Sequence, residues 1–189
     1  MKIAFRLMII ACVLLTACGD SANKPARPEV SESAKATASE HFERAKELVN
    51  TAAPDDPSTL EVAIEELNAA IAADPNNELF YLYRSTCNGR LSRPKSAIAD
   101  LNTVLEIDPE FAVGYRNRAG LKFQTGDYAG AEADYSKLIE LKPDDGHAFY
   151  NRAAARSQLD NPHACKDFER AIELGLITNE DMLYVRYCQ

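Results

Sequence analysis

The sequence predicts an all-α fold: a stack of about four helix–turn–helix repeats with a C-terminal capping helix. Three observations carry this. Ala63, Ala97, Ala131 and Ala164 stand 34, 34 and 33 residues apart. Leu67, Leu101, Tyr135 and Phe168 keep those spacings, as do Ala70, Val104, Leu138 and Ala171. Pro75, Pro109 and Pro143 close the first three copies. A fixed period in this range means units that cannot bury their apolar faces alone and therefore stack. Inside each copy the apolar residues recur three and four apart, the helical spacing.

Each element follows from its residues. Residues 39–51 place Phe42, Ala45, Leu48 and Val49 on one face, which predicts the first helix of repeat one. A Pro/Asp-rich loop follows over 52–57. Ser58-Thr59-Leu60-Glu61 reads as a capping box opening the second helix. Ala63, Ile64, Leu67, Ala70 and Ile71 then form its apolar stripe. The later pairs are 77–90 with 94–107, 110–125 with 128–141, and 146–159 with 162–174. Gly126-Asp127 turns the third pair, and Asn161 is placed to cap the last helix with Pro162 in its first turn. Residues 179–188 are amphipathic and read as the cap that covers the end of a repeat array. The domain is therefore 39–189, with repeats at about 39–76, 77–109, 110–143 and 144–176 and a cap at 177–189.

The period of 34 with the Ala-x-x-x-Phe…Pro half-pattern resembles the tetratricopeptide repeat (TPR). Tyr81, Tyr115 and Phe149 stand where that family has its early aromatic, and Ser85, Ala119 and Ala153 where it has a small residue. The resemblance covers roughly Ser39 to Leu176 and implies a right-handed superhelical stack. Departures are visible. Arg84, Arg118 and Arg152 replace the family's Leu, and Asn88, Lys122 and Arg156 replace its later Tyr. The first copy fits only in its second helix. The fourth is one residue short and has Leu176 in place of the proline.

The N-terminus reads as an address. Lys2 precedes and Arg6 interrupts an apolar run from Ile3 to Leu15, too short for a membrane span and shaped like a secretory signal. It ends in Leu15-Thr16-Ala17-Cys18, which resembles the bacterial lipobox. That resemblance implies a signal peptide over 1–17 and acylation of Cys18, and more than one acyl chain anchors stably. The alternatives are a secreted protein cut near Ala17 and an uncleaved anchor. Gly19 rather than an acid follows Cys18, which resembles signals for the outer membrane, facing the periplasm. Residues 18–38 read as a flexible tether with a reach on the order of 25 Å, and at most about 70 Å when extended.

Composition narrows the function. The formal net charge is −8, and removal of residues 1–17 with Lys2 and Arg6 takes it to −10. An acidic domain is a poor partner for nucleic acid. His41, His147 and His163 share no spacing with a nucleophile, and the cysteine spacing is no zinc framework. No cofactor and no catalysis are expected. What remains is binding. Carried over by register from the resembled family, the concave groove takes Leu82, Thr86 and Arg90; Arg116, Asn117, Gly120, Phe123 and Gln124; and His147, Tyr150, Asn151, Ala154 and Gln158. Arg116 beside Asn117 and Asn151 offers a cation and two amides to a peptide backbone or carboxylate. The expected role is a lipid-anchored periplasmic adaptor holding another envelope protein or peptide. The alternative is a fixed subunit or assembly factor of an envelope complex (pilus, outer-membrane assembly or peptidoglycan machinery).

Two structural pairings are also predicted. Glu66 and Arg84 are equidistant from Pro75, Asp100 and Arg118 from Pro109, and Asp134 and Arg152 from Pro143. Arg118 and Asp134 are likewise equidistant from Gly126. Each arginine is expected to bridge the acids of two helices. Cys165 and Cys188 lie at mirror positions about a turn between Leu176 and Ile177, which predicts a disulfide there and leaves Cys87 as a buried odd thiol. The alternative is two reduced thiols.

Overall fold

A computed structural model describes residues 27–53 and 56–188. These form α1 (Glu32–Thr51), α2 (Pro57–Ala73), α3 (Glu78–Arg90), α4 (Pro94–Ile107), α5 (Ala112–Gln124), α6 (Tyr128–Leu141), α7 (Gly146–Ser157), α8 (Ala164–Glu173) and α9 (Met182–Cys188), with no strand among the described residues. Helices pack as pairs α1–α2, α3–α4, α5–α6 and α7–α8, and each second helix packs on the first helix of the next pair. The repeated alanines Ala63, Ala97 and Ala131 are wholly buried, as are Leu67, Leu101, Leu138 and Phe168. Small residues at the helix crossings let the pairs approach, while the larger ones fill the space between them.

The turns inside the pairs repeat as well. Ser92, Gly126 and Asp160 all adopt positive φ (56°, 83° and 51°). The next N–H then bonds back to the ending helix: Arg93 to Asn88, Asp127 to Lys122 and Asn161 to Arg156, at 2.8 to 2.9 Å. This is the Schellman closure. Only the middle copy has the glycine that makes the signal readable in sequence.

Several boundaries differ from expectation. α1 starts at Glu32, capped by Ser31, not near residue 39. Ala38, Phe42, Ala45 and Val49 make one buried stripe, so the tether is shorter than 18–38 by the first turns of this helix. Its Ser/Ala/Glu composition hid a helix that needs only one small buried residue to start its stripe. Upstream, Asn76 donates to the Pro28 carbonyl at 2.8 Å. The capping box at Ser58 and Glu61 does not form. Asp56 caps α2, accepting from the Ser58 and Thr59 hydroxyls at 2.5 and 2.6 Å and from their N–H groups, which holds its carboxyl at about 2. Glu61 pairs with Arg93. α8 begins two residues after Pro162, because Asn161 caps a separate turn through the His163 N–H. Asp181 caps α9 through the Leu183 and Tyr184 N–H groups.

The arginine ladder exists: the Arg118–Asp134 rung across the Gly126 turn forms as expected, and the other rungs follow its register rather than the one expected across the prolines. Arg84 grips Asp100, Arg118 grips Asp134 and Arg152 grips Asp167, each with Nε and Nη2. All three pairs lie within one repeat. The other Nη of each arginine reaches the preceding second helix, where it meets Asn68, Asn102 and Ser136 at 2.6, 2.8 and 3.1 Å. The pairs expected across the prolines, Glu66–Arg84, Asp100–Arg118 and Asp134–Arg152, do not form, and each of these arginines meets one acid rather than two. These turns centre one residue beyond the proline, which moves the facing position by two residues and so to another face of the helix. Glu66 instead lies 2.6 Å from His41 Nδ1 and accepts from Arg44 Nε at 3.1 Å. The guanidinium carbons of Arg84, Arg118 and Arg152 also sit over Tyr81, Tyr115 and Phe149 at 5.5, 5.7 and 5.6 Å. Each rung thus fixes a first helix against two second helices.

Candidate functional site

The first helices α3, α5 and α7 line a groove with two adjoining cavities. The first, of about 520 Å³, runs between α3 and α5 and is lined by Ser85, Thr86, Gly89, Arg90, Arg116, Asn117, Gly120, Leu121, Gln124 and Tyr135. The second, of about 360 Å³, continues between α5 and α7 and is lined by Gly120, Phe123, Gln124, Tyr135, Tyr150, Asn151, Ala154 and Leu183. Gly120, Gln124 and Tyr135 belong to both. Thr86, Gly120 and Ala154 are one repeat apart and small, so the floor stays open along the stack.

The groove residues read by register divide cleanly. Thr86, Arg90, Arg116, Asn117, Gly120, Phe123, Gln124, Tyr150, Asn151 and Ala154 line the cavities. Leu82, His147 and Gln158 line neither. His147 is exposed on the first turn of α7, and Gln158 is exposed at its C-terminal cap. Tyr135, Leu183, Ser85, Gly89 and Leu121 were not expected. Tyr135 carried a signal: its register is Leu67, Leu101 and Phe168 in the other copies, so its hydroxyl is the one polar group in that row. Leu183 lies outside the repeats and carried none.

The electrostatics are those of a donor-rich surface. Among the described residues no carboxylate lines either cavity. Arg116 is not free as expected: one Nη donates to Asp145, which also caps α7 through the Ala148 N–H. Burial pushes the Asp145 carboxyl up, but the hydrogen bonds from Arg116 and Ala148 and the Arg116 charge outweigh it, and the net shift is downward. Arg90 caps the end of α1, donating to the carbonyls of Val49, Ala52 and Ala53 at 2.9, 2.8 and 3.3 Å. Burial raises the Tyr135 and Tyr150 phenols, so both stay protonated as donors. Among the described residues there is no metal-binding group of three or more His, Cys, Asp or Glu.

The cap completes the far wall. Cys165 in α8 and Cys188 in α9 form a disulfide with Cα atoms 5.5 Å apart. Phe168 is sandwiched edge-on by Tyr150 and Tyr184, with centroids at 5.6 and 6.5 Å. α9 thereby brings Leu183 into the second cavity. Cys87 is the free, buried cysteine among the described residues, and burial pushes its thiol up to about 11. Cys18, the lipobox and the signal segment lie outside the described residues, and no described helix is long and apolar enough to cross a membrane.

Comparison with known proteins supports the repeat reading. The family profile described as "Tetratricopeptide repeat" matches residues 115–145. None of the curated proteins compared matches this sequence. Among solved structures, the crystal structure of MamA aligns with TM-score 0.67 and 19% identity over 73% of this chain and 78% of its own. YrrB, described as a TPR protein with an unusual peptide-binding site, aligns with TM-score 0.65 and 18% identity over 82% of this chain and 75% of its own. The first TPR domain of Spaghetti (RPAP3), bound to the HSP90 peptide SRMEEVD, aligns with TM-score 0.61 and 20% identity over 70% of this chain and 98% of its own. The chain is a helical solenoid of the tetratricopeptide-repeat fold.

Proposed function

We propose that this chain is a non-catalytic protein-interaction module that holds an extended segment of another protein in its concave groove. The observation that carries this is the continuous, donor-rich channel of two cavities meeting at Gly120, Gln124 and Tyr135. An extended peptide presents carbonyl acceptors along its length, and Asn117, Gln124 and Asn151 supply amide donors along the channel. Two solvent-open cavities without a metal cluster or a nucleophile–base pair suit binding better than chemistry. YrrB and the Spaghetti domain, named as peptide binders, lend the reading support by shared fold.

The finer reading is a lipoprotein, anchored through Cys18 in the outer membrane and facing the periplasm, that serves another envelope protein. Its support is the Leu15-Thr16-Ala17-Cys18 sequence after a short apolar run and the disulfide between Cys165 and Cys188, which suits an oxidising compartment. A fixed subunit of an envelope complex is the second reading. It draws on α9, whose Met182 and Val185 are 84% and 42% exposed.

Crosslinking and affinity capture from intact envelopes test the groove, with Gly120→Leu as the blocked variant. A Cβ at Gly120 meets nothing within 4 Å, so a larger side chain enters the cavity rather than the core. Loss of the captured partner with a thermal midpoint that does not fall is the expected result. Undiminished capture by Gly120→Leu moves binding to another face. For the anchor, Cys18→Ala should abolish acyl labelling and release the protein from membranes. A variant that is processed and still membrane-bound refutes the lipoprotein reading.

A further inference from the structure

The cap helix α9 has seven residues and no buried side chain. A helix this short does not persist in water on its own hydrogen bonds. Met182 and Val185 are exposed, and the Arg186 guanidinium lies over the neighbouring Tyr187 ring rather than on α8. Two things dock α9. Leu183 and Tyr184 pack on the cluster around Phe168, and the Cys165–Cys188 bridge ties the end of α9 to the start of α8.

The cap is also part of the groove. Leu183 lines the second cavity beside Tyr150 and Asn151. Tyr150 packs edge-on against Phe168, which in turn meets Tyr184 of α9. Asp181, the cap of α9, lies within electrostatic reach of the Tyr150 phenol. Undocking α9 therefore removes one wall of the second cavity and one side of the aromatic stack that positions Tyr150.

The bridge is open to reagents. Neither of its cysteines is wholly buried, whereas Cys87 is. Cys165 lines a further cavity of about 220 Å³, set between the turn at Asp160, Asn161 and Pro162 and the Tyr187 side of α9. It is the second residue of α8, where the unpaired N–H groups of a helix start favour a thiolate. Lys166 follows it, and Asp167 in the same turn is neutralised by Arg152 and Arg156, which leaves Asp160 as the opposing acid in the cavity wall.

We propose that Cys165–Cys188 is a thiol–disulfide exchange site that clasps the groove, so that a dithiol reductant opens the bridge and releases α9 from the second cavity. A thiolate of the reductant attacks the Cys188 sulfur, and Cys165 leaves as the thiolate that its helix start favours. The second thiol of the reductant then closes on the first and releases Cys188. Two electrons pass to the bridge, the dithiol becomes a disulfide, and its two protons end on Cys165 and Cys188. The effect on binding rests on the groove being the peptide site, whereas the opening of the cap does not.

The test adds dithiothreitol, a small dithiol, to the folded full chain without denaturant. Alkylation and mass mapping should then label Cys165 and Cys188 and spare Cys87. Amide hydrogen exchange over 177–188 should rise about tenfold or more, with α3 to α6 unchanged. With glutathione as a monothiol probe, the mixed disulfide should map to Cys188; found on Cys165 instead, it overturns the assigned leaving group. Capture of the envelope partner should fall about fivefold or more on reduction, and equally in Cys165→Ser/Cys188→Ser, which needs no reductant. A bridge that opens only in denaturant, or one that opens with exchange over 177–188 unchanged, overturns the clasp. Capture that Gly120→Leu abolishes and reduction leaves intact overturns the control of binding and spares the groove. Capture that neither change affects overturns the groove and, with it, the hold of the clasp on binding.

Discussion

Removing the acid from the middle rung tests the ladder most directly. Asp134 is 4% exposed and accepts from Arg118 Nε at 2.8 Å and Nη2 at 2.6 Å, with Lys122 Nζ at 2.9 Å. Asp134→Ala strands two cations whose side chains are only 18% and 19% exposed. Stripping one partner from a fully buried pair costs about 3–5 kcal/mol. Arg118 keeps Asn102 and the Tyr115 face, and both cations retain some water, so roughly 2–3 kcal/mol is expected here. For a chain of this size each kcal/mol lowers the midpoint by about 2–4 °C, giving a drop of roughly 4–12 °C. Thermal and urea unfolding followed by circular dichroism measure it. The double variant Arg118→Leu/Asp134→Ala restores the Leu of the resembled family and removes the paired charges together, so it should cost less than the two single changes summed. A loss under about 0.5 kcal/mol for Asp134→Ala, or strict additivity in the cycle, would mean the rung is a solvated surface pair that holds nothing.

Gly120→Ala should raise stability by about 0.5–1 kcal/mol in the same unfolding assays, since a mid-helix glycine is replaced where a Cβ meets nothing within 4 Å. Cys87 should resist alkylation in the folded chain and react only on unfolding. Because its folded thiol is raised to about 11 by burial, its contribution is fully present below pH about 9 and is lost as pH rises towards 11; Cys87→Ala should flatten that alkaline limb of a stability–pH profile. Thiol counting on the denatured, unreduced mature chain should find one free thiol, that of Cys87. Reduction should cost roughly 3 kcal/mol, the chain-entropy value for a loop of about 22 residues. Three free thiols would remove the bridge.

Legibility in the sequence followed periodicity. The second helices α4 and α6 coincide with the expected spans because a helix start at Pro94 or Tyr128 and a closing Asp-Pro or Lys-Pro bracket them. α1 was cut short because its first turns carry Ser, Ala, Lys and Glu, a composition shared by tethers and exposed helices. Reflection about Gly126 finds the Arg118–Asp134 rung, whereas reflection about a proline misassigns the other acids because it assumes that the proline is the turn's centre. A second signal was present: Asn68, Asn102 and Ser136 also stand 34 apart and are the polar partners the arginines meet. In the groove, residues on the first helices were readable from register. Tyr135 reads only as core because its ring packs as the other copies do; the exceptional atom is the oxygen at its tip.

The placement of charge connects fold to function. The ladder aspartates Asp100, Asp134 and Asp167 are spent on Arg84, Arg118 and Arg152, and Lys122 and Arg156 add to the last two. Asp145 is spent on Arg116 and a helix start. Acids therefore neutralise the cations that set the helices, or face solvent, and the described groove carries none. At long range such a chain repels an anionic peptide, whereas inside the groove the amides of Asn117, Gln124 and Asn151 offer it uncharged donors. Salt separates the two effects, because exposed charges beyond about 8 Å are screened at physiological ionic strength while close, partly buried pairs are screened much less. Moderate salt should thus speed association of anionic peptides, the reverse of steered association between opposite charges. Association that slows steadily from the lowest salt upward would show a net attractive approach and contradict the assignment of the acids to the outer faces.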